Sequence, residues 1–255
     1  IVIGDSYQSL NIGIKNKKIE LLSTSSEYDA KNVVDVKNLT ILPGVIDSQV
    51  HFREPGSEHK EDLSTGSKGA ALGGVTSVFE MPNTYPPTST VQRLKEKLEL
   101  ARDRMWVNYA FYAGATPDNF SSLPELEKVP GCVGVKIFMG SSTGNLLVND
   151  PDTLAGIFEH SPVLIVTHCE DTPMILEKEQ EAREKYGEDV PMDMHADIRS
   201  REACYKSSSL AIELAKKYGS NLHVLHLTTK EELEQFVAGE IDNKKITAEV
   251  CVHHL

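Results

Sequence analysis

Three polar side chains alternate in "DSQVHFREPG", residues 47–56, directly after the apolar run "LTILPGVI". His51 offers an imidazole, the side chain that most often binds metal ions, and Arg53 offers a planar guanidinium that binds a carboxylate through two hydrogen bonds. Gln49 stands two residues before His51, where a metal site would use a second histidine. Because residues two apart in a strand share a face, the three side chains are predicted to point into one space.

Polar side chains also lie at the ends of four later apolar runs. Asn83 follows in "MPNT", Lys136 lies within "GVKIFMG", His168 lies in "VTHCE" and His226 lies in "LHLTT". In a parallel barrel the C-terminal ends of the strands meet at one rim, and the active site lies there. Three histidines on three strands, with a lysine on a fourth, therefore predict a metal centre at this rim.

Lys136 has two interpretations. Burial lowers the pKa of a lysine and favours the neutral amine, which can take up carbon dioxide to form a carbamate. The two carbamate oxygens can bridge two cations about 3.5–4 Å apart. Alternatively, Lys136 forms a buried ion pair with a carboxylate such as Glu80. Sequence spacing leaves both interpretations open.

Other histidines are given no ligand role. His223 lies three residues before His226, so it is predicted to face the opposite side of the strand and to be structural. His253 and His254 end the last apolar run, and we expect no direct ligation from them.

The elements that position these residues begin after Pro43-Gly44. Short apolar runs alternate there with helical segments such as Thr90–Arg104 and Ser207–Tyr218, which favours a parallel sheet covered on both faces. The seven runs are "GVIDSQVHF", "GVTSVFEM", "VNYAFYAGA", "GVKIFMG", "PVLIVTH", "LHVLHLT" and "KITAEVCVHHL". They predict an α/β fold, a (β/α)8 barrel whose eighth strand is not seen. An open doubly wound sheet is the alternative, although the G-x-G-x-x-G fingerprint is absent.

The preceding residues, 1–42, show alternation typical of short strands in "LNIGIKN", "KKIELLS" and "NVVDVKNLTIL". The sequence therefore predicts two domains, a small β unit over 1–42 and the barrel over 43–255.

Composition narrows the class of protein. The 255 residues carry a net charge of -12, which argues against nucleic acid and anionic membranes as partners. No apolar stretch reaches 18 residues, so no transmembrane helix is expected. The four cysteines are far apart and form no disulfide framework, which fits a reducing cytoplasm.

The motifs taken together resemble the dihydroorotases of the amidohydrolase superfamily. They are "GVIDSQVHFREPG", "KEDLSTGSKGAALGGVTSVFEMPNTYPP", "GVKIFMGSSTGN", "THCEDTP", "LHVLHLTT" and "ITAEVCVHHL". "HFREPG" followed by "MPNT" separates that family from allantoinases and dihydropyrimidinases of the same fold. The resemblance covers about 42–255. It implies a metal-dependent barrel with a small β-sandwich and reversible cyclisation of N-carbamoyl-L-aspartate to L-dihydroorotate in pyrimidine synthesis.

The resemblance also implies residue roles. His51 would bind a first zinc ion, and His168 and His226 would bind a second. Lys136 would be the carbamylated bridge, so it and His51 form the catalytic centre. Arg53 and Asn83 would hold the carboxylate of the small-molecule substrate. The family often forms dimers, so the resemblance is compatible with a homodimer.

Two departures from the family pattern bear on function. The family has His-x-His in its first strand, and Gln49 is a weaker zinc ligand than a histidine, so one or two zinc ions are expected per chain. The family's catalytic aspartate comes from an eighth strand, and the sequence ends after the seventh, so we expect the chain to be part of a longer polypeptide. The competing functions are another cyclic amidase, for a hydantoin, a dihydropyrimidine or allantoin, and an inactive scaffold for aspartate transcarbamoylase.

Overall fold

The computed structural model describes residues 1–3, 6–25, 27, 29–37, 39–140 and 146–254. The stretch "SSTGN" of the fourth-strand motif, residues 141–145, lies outside the described residues. Packing divides the chain into two compact units, Ile1–Ile46 and Asp47–Leu255.

The first unit contains two antiparallel ribbons. Its four strands are β1 (Val2–Ile3), β2 (Ser6–Tyr7), β3 (Asn11–Lys15) and β4 (Lys18–Ser23). β1 pairs with β2 and β3 with β4. Asn16 and Lys17 connect β3 to β4 with φ of 52° and 64°, the backbone of a tight two-residue hairpin turn.

The strand predicted in "NVVDVKNLTIL" is wrong for its described residues, which form no strand. A strand needs a hydrogen-bonded neighbour, and no other strand among the described residues pairs with this segment. Its apolar side chains Val33, Val34 and Leu39 are exposed.

The second unit is built on a parallel sheet of seven strands, so all seven predicted runs are confirmed as strands. The strands are β5 (Val45–Val50), β6 (Val75–Glu80), β7 (Asn108–Gly114), β8 (Cys132–Phe138), β9 (Ile165–His168), β10 (Leu222–Val224) and β11 (Ile246–Ala248). They lie side by side in sequence order. Ser48 of β5 donates a 2.5 Å hydrogen bond to Glu249 beyond β11, so the two edges of the sheet approach each other. Among the described residues, the sheet is the curled wall of a (β/α)8 barrel with seven strands.

Helices connect the strands and cover the outside of the sheet. They are α1 (Leu63–Leu72), α2 (Val91–Ala101), α3 (Pro151–His160), α4 (Thr172–Tyr186), α5 (His195–Ile198), α6 (Arg201–Tyr218) and α7 (Lys230–Leu233), with 3-10 turns at Phe120–Lys128, Met192–Met194 and Val252–His254. Side-chain caps set several starts. Thr90 caps α2, and Ser200 caps α6, which therefore begins six residues before the predicted Ser207.

The core has two layers, one on each face of the sheet. On β9, Ile165 packs into the large cluster shared with the helices, whereas Val166 packs into a smaller cluster with Met81, Tyr112 and Leu225. Both faces of the central strands β7, β8 and β9 are largely buried, which explains their continuous apolar sequence. In the part of the chain that the structure describes, no helix is long and apolar enough to cross a membrane.

Candidate active site

His51 and Arg53 lie just beyond β5 rather than on it. The strand ends at Val50, and Phe52 is buried against Gly66 of α1, where a Cβ atom would lie 2.3 Å from the Phe52 ring. Arg53 has a φ of 67°, a left-handed backbone that costs a residue other than glycine about 1–2 kcal/mol. Strand alternation therefore does not fix the directions of the His51 and Arg53 side chains, because the strand ends at Val50 and the chain turns at Arg53.

Asn83, from the segment after β6, meets this loop. Its side chain hydrogen-bonds to His51, and the backbone N–H of Tyr85 donates to the carbonyl of Pro55 at 2.9 Å. Burial, together with the charges of Arg53 and Lys136, lowers the pKa of His51 to about 4. A neutral imidazole is the form that binds a metal ion.

Lys136 of β8 is fully buried, and its ammonium has no hydrogen-bond partner among the described residues. Its Nζ atom lies 4.6 Å from the centre of the Phe138 ring. Burial lowers the pKa of Lys136 to about 7, so much of the amine is neutral near physiological pH. Burying a polar atom without a hydrogen-bond partner raises the free energy of the folded state. A ligand or a covalent modification of the Lys136 amine would remove this cost.

The alternative partner for Lys136 was Glu80, and that interpretation is wrong. Glu80 instead forms an ion pair with Lys97 of α2, and both side chains are almost completely buried. Lys97 also donates to the carbonyl of Met81 at 3.2 Å. The α2 helix packs on the sheet next to β7, so Glu80 is engaged on the helix-covered face.

His168 and His226 lie side by side. Their Nδ1 and Nε2 atoms, respectively, are 3.1 Å apart. A tetrahedral metal ion with bonds of about 2.0–2.1 Å holds two nitrogens about 3.3–3.4 Å apart. Burial, followed by the charge of Lys136, lowers the pKa of His226 to about 4. His226 has a φ of 39°, so it too lies on a turned backbone beyond its strand.

Glu170 orients His168, and it was missed in the sequence. Its Oε2 atom lies 2.7 Å from His168 Nε2 and accepts a 2.6 Å hydrogen bond from Arg199. A carboxylate on the outer nitrogen of an imidazole fixes the tautomer and turns the other nitrogen toward a metal ion. The carboxylate two residues after the histidine in "THCE" was the available signal.

Glu249, also missed, is the centre of a second network. Its Oε2 atom accepts from Ser48 and lies 3.3 Å from His223 Nε2, while His223 Nδ1 lies 2.8 Å from Thr247 Oγ1. The charge of Glu249 acts on both Lys136 and His226. β10 ends at Val224 and His226 has a φ of 39°, so the strand alternation from which His223 was predicted to face away from His226 does not extend to His226.

The predicted ligands are brought together only in part. Among the described residues, the donor atoms of His51, His168 and His226 form no three-ligand group within 4.8 Å, whereas those of Cys251, His253 and His254 do. Gln49 is half-buried, and its side-chain amide makes no hydrogen bond to any residue the structure describes.

Comparison with known proteins identifies the family of the chain. Residues 40–253 match the profile of the Amidohydrolase family. The chain belongs to the amidohydrolase family. The superfamily is generally metal-dependent.

Relatives of this amidohydrolase carry several names. A dihydroorotase from Methanosarcina mazei is 34% identical over 100% of the chain and 57% of the relative, and an allantoinase from Bacillus velezensis is 31% identical over 96% and 54%. The structure of an L-hydantoinase (dihydropyrimidinase) from Arthrobacter aurescens matches with a TM-score of 0.87 at 26% identity, over 94% of this chain and 54% of that one. The amidohydrolase spans a little over half the length of these relatives.

The residues of this amidohydrolase fit a metal ion. His168 and His226 are spaced for a shared ligand, and the pKa of His226 is low enough to keep it neutral. Lys136 supplies a buried amine that has no hydrogen-bond partner among the described residues. Its charge lowers the pKa of both His51 and His226. A carbamate on this amine would add the anionic oxygens that the pair lacks.

Proposed function

We propose that this amidohydrolase hydrolyses and forms cyclic amides as a dihydroorotase, the zinc-dependent enzyme that interconverts N-carbamoyl-L-aspartate and L-dihydroorotate in pyrimidine synthesis. The observation that carries the proposal is Arg53, whose charge acts on His51 and whose guanidinium has no hydrogen bond or ion pair to a described residue. Dihydroorotate bears a carboxylate, which a guanidinium binds bidentately. A cytoplasmic location, with neither nucleic acid nor membrane as partner, belongs to the same proposal.

Each residue has a proposed role. Arg53 and Asn83 hold the substrate carboxylate. The neutral Lys136 amine attacks carbon dioxide, forming the N–C bond of a carbamate while one proton leaves the nitrogen for water. This carbamate, with His168 and His226, would hold one zinc ion, and His51 would hold the other. A bound divalent metal activates water and polarises the amide carbonyl.

A second candidate is hydrolysis of a neutral ring such as allantoin, a hydantoin or a dihydropyrimidine. The similarity to allantoinases and to an L-hydantoinase favours it. Those substrates lack the ring carboxylate, so they leave Arg53 without a ligand.

A substrate panel with Arg53 variants tests the choice. We expect the zinc-loaded protein to turn over L-dihydroorotate in preference to allantoin and dihydrouracil. Arg53→Lys keeps the charge but loses the planar fork, so it should raise KM for dihydroorotate. The loss of a charge-assisted hydrogen bond costs about 1.5–3 kcal/mol, which is roughly a tenfold to hundredfold increase.

The matched control is Arg102→Lys, because Arg102 is exposed and forms a surface ion pair with Glu99. An unchanged kcat/KM for dihydroorotate in both Arg53→Lys and Arg53→Ala would show that the carboxylate is held elsewhere. Metal-loaded protein that turns over none of the three substrates would favour the scaffold function instead.

Metal content tests the consequence of Gln49. We expect one tightly held zinc ion, on Lys136, His168 and His226, and a second that mild chelation removes, because a neutral amide oxygen binds zinc weakly. Gln49→His should retain the second ion through the same treatment. Elemental analysis after dialysis measures both, and two equally retained ions in the unmodified protein would contradict the expectation.

A further inference from the structure

Glu54 is a buried carboxylate next to the proposed substrate clamp, and three hydrogen bonds hold it. Arg104 donates to both of its oxygens, at 2.6 and 3.0 Å, and the backbone N–H of Leu63 at the start of α1 donates at 2.9 Å. Arg104 also donates to the carbonyl of Leu100 in α2, at 3.2 Å. Glu54 therefore ties the loop after β5 to two helices.

The residue fixed by this arrangement is Arg53. Its left-handed backbone is unfavourable for an arginine, so neighbouring contacts must maintain it. Glu54 anchors the chain one residue later, and Ser57 donates its backbone N–H to the Arg53 carbonyl at 3.1 Å. On the far side, a Cβ atom on Gly56 would lie 2.2 Å from the Tyr85 carbonyl, so the loop sits tightly against the segment that carries Asn83.

Arg104 neutralises the Glu54 carboxylate, so the Arg53 guanidinium stays available to bind a substrate carboxylate. Glu54 is 5% exposed, and its charge is matched by the bidentate fork of Arg104. The Arg53 guanidinium, by contrast, makes no hydrogen bond or ion pair with any residue in the described ranges, although its charge acts on Glu80. Without Arg104, the buried Glu54 carboxylate would lack a counter-ion. It would then compete with the substrate carboxylate for the Arg53 guanidinium.

We propose that Glu54, clamped by Arg104, is a positioning residue that holds the Arg53 guanidinium in place for a substrate carboxylate, and so makes the site prefer ring substrates that carry one. This inference rests on the proposed function, since it assigns Arg53 to the carboxylate. It concerns the recognition of the anion, and the ring chemistry is left to other residues.

Orotate and uracil are the probes, because they share a ring and differ in the carboxylate. Dissociation constants are measured by calorimetry on the metal-loaded full chain. Glu54→Gln keeps the size of the side chain but removes its charge, and we expect it to weaken orotate about tenfold while changing uracil less than twofold. Arg104→Lys should act in the same direction, and it serves as the test if Glu54→Gln does not fold. Arg102→Lys, at the same end of α2, should change neither constant.

Equal weakening of both probes would assign Glu54 a purely structural role and overturn the proposal. An unchanged orotate constant, or no orotate binding by the unmodified protein, would overturn it as well. Turnover of L-dihydroorotate is measured separately. Selective loss of orotate binding in a protein that does not turn over dihydroorotate would refute the proposed function and leave the positioning role standing.

Discussion

Lys136→Ala is expected to abolish both metal retention and activity. The variant removes the buried amine that we propose to carry the carbamate between the histidines. Metal-assisted catalysis contributes several kcal/mol of transition-state stabilisation, so kcat should fall by about a thousandfold or more. A short carboxylic acid, such as acetate or propionate, should restore part of the metal content and activity, because it returns the missing oxygens.

The control is the double variant Lys97→Met with Glu80→Gln. It tests whether the loss of a buried lysine elsewhere in the fold is enough to remove the metal ions. It removes a buried lysine on the helix-covered face together with its partner. It should keep its metal ions. Elemental analysis and turnover, with and without added acid, complete the experiment. A fully metallated, active Lys136→Ala protein would refute the carbamate.

Lys97→Met alone is expected to destabilise the protein by about 3–5 kcal/mol, because it leaves Glu80 as an uncompensated buried carboxylate. For a domain of this size that corresponds to a decrease in Tm of roughly 10 °C. The pKa of Glu80 is already raised to about 7 by burial. The folded state therefore binds the proton more tightly than the unfolded state, whose carboxyl has the ordinary pKa of 4.5.

The sign of the pH dependence follows from this difference. The stability that a raised carboxyl pKa contributes is fully present at pH values below the pKa of the unfolded state. It is lost as the pH rises through the pKa of the folded state. The penalty in Lys97→Met should therefore be larger at pH 8 than at pH 5. Denaturant titrations at the two pH values measure it, and adding Glu80→Gln should recover most of the loss. Equal penalties at both pH values would mean that removing Lys97 does not raise the pKa of Glu80 in the folded state.

The sheet was predictable because its central strands are buried on both faces. Each strand then reads as a short apolar run, and Lys136 stands out as the charged residue within one of them. The partner of Glu80 was also within reach of the sequence. Leu94, Lys97 and Ala101 recur at helical spacing on the buried side of α2, so Lys97 was the lysine to pair with a carboxylate on the covered face.

The turns at the strand ends were not predictable from alternation. Arg53 and His226 both adopt positive φ, which places each side chain where strand geometry would not. A positive φ is uncommon in residues other than glycine, and local propensity does not predict it. Tertiary contacts maintain it at these two positions. The networks of Glu170 and Glu249 were missed for a related reason. Each joins residues that are distant in sequence, such as Glu170 with Arg199 and Glu249 with Ser48.

The bond between Glu170 and Arg199 also connects His168 to a short helix near the surface. Arg199 closes α5, a helix of four residues, and Glu170 holds both Arg199 and His168. Local opening of that segment breaks its bond to Glu170 and loosens the imidazole. Linkage is reciprocal, so a ligand that favours the oriented imidazole must also suppress the opening. Backbone amides of α5 would thus report the occupancy of the proposed metal site by hydrogen exchange, several residues away from the proposed ligand His168.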